Sequence, residues 1–182
     1  MHSAERHRIE EFNMPMFTQA AIIVATGMSE QIIQKYWGRY EAEMRLSAPA
    51  PGRGNRRLYS LADAVFLAAI KSITELGLPP LKAMYTANCI RAWAQMEAGK
   101  HFVLRKFVHL PIQYFALCPQ LVGYIIRGRS PDAILAKCDD AAVLIVDGSR
   151  IVEETNRALV ALTERRSPEQ NDSAVSQDAD AS

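Results

Sequence analysis

The sequence predicts a mainly helical protein whose second half mixes helices with strands. Apolar residues recur at helical spacing from Thr18 to Leu76, interrupted at Gly27 and by a segment rich in Pro and Gly at residues 47–55. Between residues 101 and 127, runs of β-branched and aromatic residues bounded by Pro or Gly indicate strands. Hydrophobic residues make up 49% and charged residues 23%, a balance typical of globular domains.

Composition and periodicity divide the chain into four predicted parts. Residues 1–13 are polar and without periodicity, so we expect a flexible arm. Residues 14–85 carry the helical pattern, and residues 86–165 are expected to form a small α+β domain for dimerisation or regulation. Residues 166–182 offer almost nothing to bury and are predicted to be a disordered acidic tail.

The first two predicted helices are joined by a tight turn. Thr18 is a suitable N-cap for the first helix, and Gly27 ends it. Ser29 then caps a second helix that runs from Glu30 into the early forties. This helix has an apolar stripe, consisting of Ile32, Ile33, Tyr36 and Tyr40.

The next helix is the most apolar part of the sequence. After a short extended segment at residues 56–59, Ser60 and Asp63 form a capping box that opens a helix ending at Gly77. Its segment from Ala64 to Ile70 is apolar almost all round, which is typical of a helix buried on several sides. We expect its cover to come either from a second subunit or from residues 86–165.

The remaining elements follow from Pro and Gly. Pro80 opens a helix expected to reach Gly99, and Pro131 opens a short one. Residues 142–146 are predicted to be a buried strand followed by a turn at Asp147-Gly148. The last helix has an apolar stripe from Ile151 to Leu162, which we expect to contribute to a dimer interface.

Positive charge is concentrated in one segment. The net charge of +1 says nothing about nucleic acid, but no acidic residue lies between Glu43 and Asp63. This window contains Arg45, Arg53, Arg56 and Arg57. Two helices, a tight turn, a basic loop and an extended segment are the outline of a winged helix-turn-helix, in which the second helix enters the major groove and the loop reaches phosphates.

The same residues resemble the MerR family of transcription regulators over two blocks, residues 17–36 and 54–81. Matching motifs in the first block are Phe17-Thr18, Thr26-Gly27-Met28-Ser29 and Ile33-Gln34-Lys35-Tyr36. Those in the second are Gly54-Asn55-Arg56-Arg57-Leu58-Tyr59-Ser60, then Asp63, Leu67, Ile70, Ile73 and Glu75-Leu76-Gly77-Leu78. The resemblance covers well under half of the chain and implies a DNA-binding domain over residues 14–85.

The chain also departs from the family pattern. Gln34 and Lys35 replace an arginine and an aromatic residue of the second helix, so no base preference carries over. Apolar residues stand where charges are common, namely Ala21, Val24, Val65 and Phe66. The family continues into a long dimerising helix and a sensor region, whereas here strands are predicted after Gly99. The resemblance therefore implies DNA binding and no particular effector.

The predicted DNA-binding residues come from the caps, the second helix and the wing. They are Thr18, Ser29, Gln31, Gln34, Lys35, Tyr36, Arg39, Arg53, Asn55, Arg56, Arg57 and Tyr59. We expect the phosphate contacts from the arginines of the wing and base contacts from Gln34 or Lys35. Tyr36 and Trp37 suit either stacking on DNA or the core, and for Tyr36 we favour the core.

Other chemistry has little support in the sequence. The dispersed cysteines Cys89, Cys118 and Cys138 suit reduced thiols better than a disulfide or zinc site. No catalytic motif is recognisable, so we expect neither an enzyme nor a metal or cofactor. The apolar runs are too short to cross a bilayer, and the N-terminus lacks the features of a signal peptide.

The sequence thus predicts a cytoplasmic, nucleoid-associated transcription regulator. Its expected partners are double-stranded DNA, a second copy of the chain in a homodimer, and RNA polymerase or another regulator. Two alternatives remain open: an excisionase-like architectural or recombination accessory protein, and a winged-helix interaction scaffold without DNA binding. The apolar Val24, Val65 and Phe66 favour the scaffold, and the unopposed arginines favour DNA binding.

Overall fold

A computed structural model describes residues 3–46, 57–103, 105–117, 125–138 and 143–165. These ranges are mainly helical, with small antiparallel sheets in the second half. The helices are α1 (Ser3–Asn13), α2 (Gln19–Thr26), α3 (Glu30–Met44), α4 (Leu61–Glu75), α5 (Pro80–His101), α6 (Pro131–Leu135) and α7 (Gly148–Glu164). The strands are β1 (Phe17–Thr18), β2 (Leu58–Tyr59), β3 (Phe102–Val103), β4 (Lys106–Phe107), β5 (Tyr114–Leu117), β6 (Ile125–Gly128) and β7 (Leu144–Asp147).

Helix α4 forms the centre of the molecule. Every residue from Leu61 to Ile70 is buried, as the all-round apolar pattern predicts. Helices α1, α2, α5 and α7 pack around it. The sequence predicted that either a second subunit or residues 86–165 would cover α4. The covering elements belong to the same chain and are mainly α5 and α7.

The predicted start of α4 is confirmed in detail. The Ser60 hydroxyl accepts a hydrogen bond from the Asp63 amide at 3.1 Å, and the Asp63 carboxylate accepts one from the Ser60 amide at 2.9 Å. Both side chains are fully buried. The capping box therefore supplies hydrogen-bond partners for amide groups at the start of α4 that water does not reach.

Helix α1 corrects the expectation of a flexible arm over residues 1–13. Phe12 is fully buried and meets the rings of Phe102 and Phe107 at centroid distances of 5.7 and 6.1 Å. The Arg8 guanidinium donates to the carbonyl oxygens of Gly99 and Lys100, at 3.0 and 3.1 Å, and so caps the end of α5. Phe12 is the one residue of α1 that is fully buried, so the sequence of this helix shows no repeating apolar pattern from which it could be predicted.

The second part of the chain builds small antiparallel sheets. Strands β3 and β4 form a hairpin, and β5 lies between β6 and β7. The expected turn at Asp147-Gly148 is wrong, because Asp147 caps α7 by accepting a hydrogen bond from the Arg150 amide at 3.0 Å. Gly148 is the first residue of α7, and a Cβ there would collide with the Phe115 ring.

The two predicted domains share one core. Helix α5 is 22 residues long and runs through the expected division between residues 85 and 86. The apolar stripe of α7 is buried against α2 and α4 in the same hydrophobic cluster, as shown by Val152 and Leu159. The expectation that this stripe serves a dimer interface is therefore wrong. The tail, residues 166–182, and the loop, residues 47–55, lie outside the described residues.

We predict that Phe12→Ala lowers the free energy of unfolding by about 3–5 kcal/mol, as for other buried aromatic truncations. Chemical denaturation followed by circular dichroism measures this change. Met14→Ala is the matched control, because Met14 lies just beyond α1 and is 48% exposed. Equal stability of both variants would mean that residues 3–13 do not pack against α5.

Candidate nucleic-acid interface

Helices α2 and α3 are joined by Gly27, Met28 and Ser29. The Thr18 hydroxyl caps α2 by accepting a hydrogen bond from the Ala21 amide at 3.3 Å, and Ser29 caps α3 through the Ile32 amide at 3.4 Å. Gly27 has φ of 65°, a left-handed conformation that glycine adopts without steric cost. The predicted caps and turn are thus confirmed, and Thr18 and Ser29 have local structural roles.

Helix α3 has two distinct faces. Ile33 and Met44 are buried, and the aromatic side chains of Tyr36, Trp37 and Tyr40 are partly buried beside them. The opposite face is exposed and carries Gln31, Gln34, Lys35, Gly38 and Arg39. Ile32 was expected in the apolar stripe but is 43% exposed, so this prediction is wrong.

The exposed face carries long polar side chains in its first turns and has no side chain at Gly38. Gln31, Gln34 and Lys35 occupy neighbouring positions one turn apart, and Gln34 donates to the Glu30 carboxylate at 3.0 Å. A Cβ built on Gly38 meets no atom within 4 Å. A flat surface can therefore come close to the backbone of α3 at Gly38 while the three long side chains reach past it.

Tyr36 fastens α3 to α4. Its phenol forms a hydrogen bond with Thr74, and its ring packs edge-to-face on Tyr40 at 6.2 Å. Burial raises the pKa of Tyr36 above the ordinary tyrosine value. Of the two interpretations of Tyr36, the structure favours packing. Arg39 lies outside this contact, with its guanidinium 5.5 Å from the Tyr40 ring centroid, and remains exposed.

Strand β2 brings the end of the basic segment to α3. It pairs with β1, Tyr59 opposite Phe17, and the Met16 amide donates to the Tyr59 carbonyl at 3.0 Å. Arg57 precedes this strand, with its Cζ atom 3.2 Å from the centroid of the Trp37 ring. Burial raises the pKa of Tyr59, which the hydrogen-bonded Arg57 partly opposes. Arg53, Asn55 and Arg56 lie outside the described residues.

The end of α3 is held by two side chains of α5 that the sequence did not single out. Asn88 donates to the Glu43 carbonyl at 3.2 Å, and Arg91 donates to the carbonyls of Met44 and Arg45 at 3.2 and 3.1 Å. Arg91 also lies 4.5 Å above the Phe66 ring centroid, and burial lowers its pKa. Their spacing on α5 gives no sign that they cap another helix.

The charge of α3 itself is not basic. Glu30, Glu41 and Glu43 accompany Lys35 and Arg39 along the helix. Glu30 lies in the first turn, where a carboxylate interacts favourably with the helix dipole. Attraction to a polyanion would therefore have to come from the arginine-rich segment before β2.

No protein-family model matches the chain, and no curated protein is significantly similar to it. In the ranges that the structure describes, no helix is both long and apolar enough to cross a membrane. Across the same ranges, no three His, Cys, Asp or Glu side chains are grouped as a metal site would require.

We predict that Arg91→Met loosens the end of α3. The variant keeps an apolar stem over Phe66 and removes every guanidinium donor, so we expect the free energy of unfolding to fall by about 1–3 kcal/mol. Amide hydrogen exchange should accelerate in the last turn of α3 more than elsewhere. Arg150→Met, which removes an exposed guanidinium from α7, is the control and should change neither measurement. Unchanged exchange in α3 would contradict the capping role.

Proposed function

We propose that the protein is a sequence-specific, double-stranded DNA-binding transcription regulator. In this proposal α2 and α3 form a helix-turn-helix, and the segment before β2 is its wing. The observation that carries the proposal is the exposed stripe of Gln31, Gln34 and Lys35 at the start of α3, opposite a face fastened to the core. The first turns of a helix in the major groove are those that contact base edges.

The chemistry of this stripe suits base recognition. Glutamine pairs with adenine through two hydrogen bonds, and lysine donates to the acceptors of guanine. Gly38 allows the helix backbone to approach the groove wall, because no side chain stands there. Arg53 and Arg56 of the proposed wing supply positive charge for phosphates, which α3 does not provide.

The interaction scaffold loses most of its support. Val65 and Phe66 favoured it as apolar side chains at positions that are often charged, yet both are fully buried in the protein's own core. Val24 alone of that set is exposed, at 64%. An isolated surface apolar residue is common in globular proteins. An excisionase-like accessory protein would share the proposed surface, and the location of its DNA sites distinguishes it.

A homodimer would double the readable sequence, because one helix-turn-helix contacts few bases. We propose α5 as its interface. The exposed side of this helix carries an apolar stripe at helical spacing, made up of Leu81, Tyr85, Ala92 and Met96. The stripe borders a groove of about 600 Å³ between α5 and the end of α3.

We predict that Tyr85→Glu shifts the protein to a monomer at concentrations where the wild-type protein is a dimer. The substitution places a charge in the middle of the proposed seam, where a second copy would have to bury it. Sedimentation equilibrium measures the association. Val108→Glu is the control, because Val108 is 75% exposed and lies outside the stripe. A monomeric wild-type protein would contradict the dimer.

The decisive test of the proposed function is a binding series on two duplexes. One carries a site selected by the protein from a random duplex library, and the other is its scrambled version. Gln31→Ala, Gln34→Ala and Lys35→Ala test base reading, and we expect each base-reading side chain to lose about 1–3 kcal/mol on the selected site alone. Arg56→Ala should weaken both duplexes equally and reduce the salt slope by about one.

Lys137→Ala is the control, since it removes an exposed charge beyond α6. Failure to select any site would overturn sequence-specific binding. If the α3 variants lose the same affinity on the selected and the scrambled duplex, then α3 contacts the DNA backbone and not the bases. Mapping the selected site to promoters supports a regulator, whereas mapping it to recombination sites supports the accessory protein.

A further inference from the structure

Arg57 differs from an arginine that is free to reach a phosphate. Its guanidinium lies over the Trp37 ring, with 3.2 Å between Cζ and the ring centroid. Its Nε and Nη2 atoms are buried and have no hydrogen-bond partner within the described part of the chain. The same side chain forms a hydrogen bond with Tyr59. The Trp37 ring therefore covers one face of this guanidinium, although two of its nitrogens have no hydrogen-bond partner in the described residues.

Both ends of the contact belong to elements of the proposed interface. Trp37 lies midway along α3, partly buried and one turn after Gln34, and Arg57 is the residue before β2. Strand β2 is itself fixed, because it pairs with β1 immediately before α2. The stack thus ties α3 to the strand that leads out of the basic segment.

An arginine suits this contact better than a lysine does. A planar guanidinium covers the face of an indole and is more weakly hydrated than an ammonium group, so it loses less on burial. Attraction between the cation and the ring quadrupole increases when water is excluded, as it is at the buried nitrogens. The contact accordingly depends on the shape of the side chain as well as on its charge.

We propose that Arg57 is a positioning residue for DNA recognition. By stacking on Trp37 it sets the distance and tilt of α3 relative to β2, so that the stripe of Gln31, Gln34 and Lys35 is presented to the duplex in one orientation. This inference rests on the proposed function. It removes Arg57 from the expected phosphate contacts and assigns it a role that acts through Trp37.

The test combines Arg57→Lys, Arg57→Ala, Trp37→Ala and their double mutant with the selected and scrambled duplexes. We expect Arg57→Lys and Arg57→Ala each to weaken the selected site by about tenfold or more, with the salt slope unchanged. The scrambled duplex should be little affected. Trp37→Ala should produce the same loss, and the double mutant should lose no more than either single variant.

Conservative replacement provides the rescue. Trp37→Phe keeps an aromatic face for Arg57 and should recover most of the affinity that Trp37→Ala loses. Arg6→Ala removes the same charge from the exposed surface of α1 and serves as the control. A phosphate contact would give the opposite pattern, in which Arg57→Lys binds like the wild-type protein and Arg57→Ala weakens both duplexes and lowers the salt slope. That pattern would overturn the proposal.

A spectroscopic measurement without DNA separates this inference from the proposed function. The chain has two tryptophans, Trp37 and Trp93, and Trp93 packs against Phe115. In Arg57→Lys the indole N–H resonance of Trp37 should move while that of Trp93 stays in place. An unmoved Trp37 resonance would overturn the stack. A moved resonance in a protein that selects no DNA site would overturn the proposed function and, with it, the positioning role, while leaving the stack intact.

Discussion

The burial of α4 is the constraint on which the other elements depend. A helix that is apolar almost all round has no side to offer to water, so segments from both ends of the chain have to pack around it. Helices α1 and α2 come from before it, and α5 and α7 from after it. This common core accounts for the continuity of α5 between the two predicted domains. It also explains why the apolar stripe of α7 is buried inside the protein and is not exposed to a second subunit.

Helix α3 is the exception, because it lies at the edge of this core and is held by side-chain contacts. Tyr36 bonds to α4, Trp37 stacks under Arg57, and Asn88 and Arg91 cap its end. Three separate elements thus fix one helix along its inner side. The outer side is left exposed, an arrangement that would pre-organise the proposed binding surface and limit the ordering cost of association.

The features that could be predicted from the sequence are those decided by neighbouring residues. Helix caps and tight turns depend on hydrogen bonds between residues close in sequence. The predicted caps are confirmed at Thr18, Ser29 and Ser60, and so is the turn at Gly27. The docking of α1 was missed because it depends on Phe12 meeting residues far along the chain. The same holds for the Arg57 stack and for Arg91, whose carbonyl partners are separated from it by 47 and 46 residues. Residue types alone marked Arg57 as a wing cation, and only the fold places it against Trp37.

The charge distribution divides the proposed recognition between two elements. With Glu30, Glu41 and Glu43 beside Lys35 and Arg39, α3 contributes little attraction to a phosphate backbone, so most of the counterion release has to arise in the segment before β2. Salt-dependent affinity and sequence discrimination would then reside on different parts of the chain. Such a division works only if the two parts keep a fixed geometry, because base contacts tolerate little displacement while phosphate contacts fix the register. In the proposed positioning role, Arg57 at the junction would contribute to neither contact directly, and its stack on Trp37 would make each contact depend on the other.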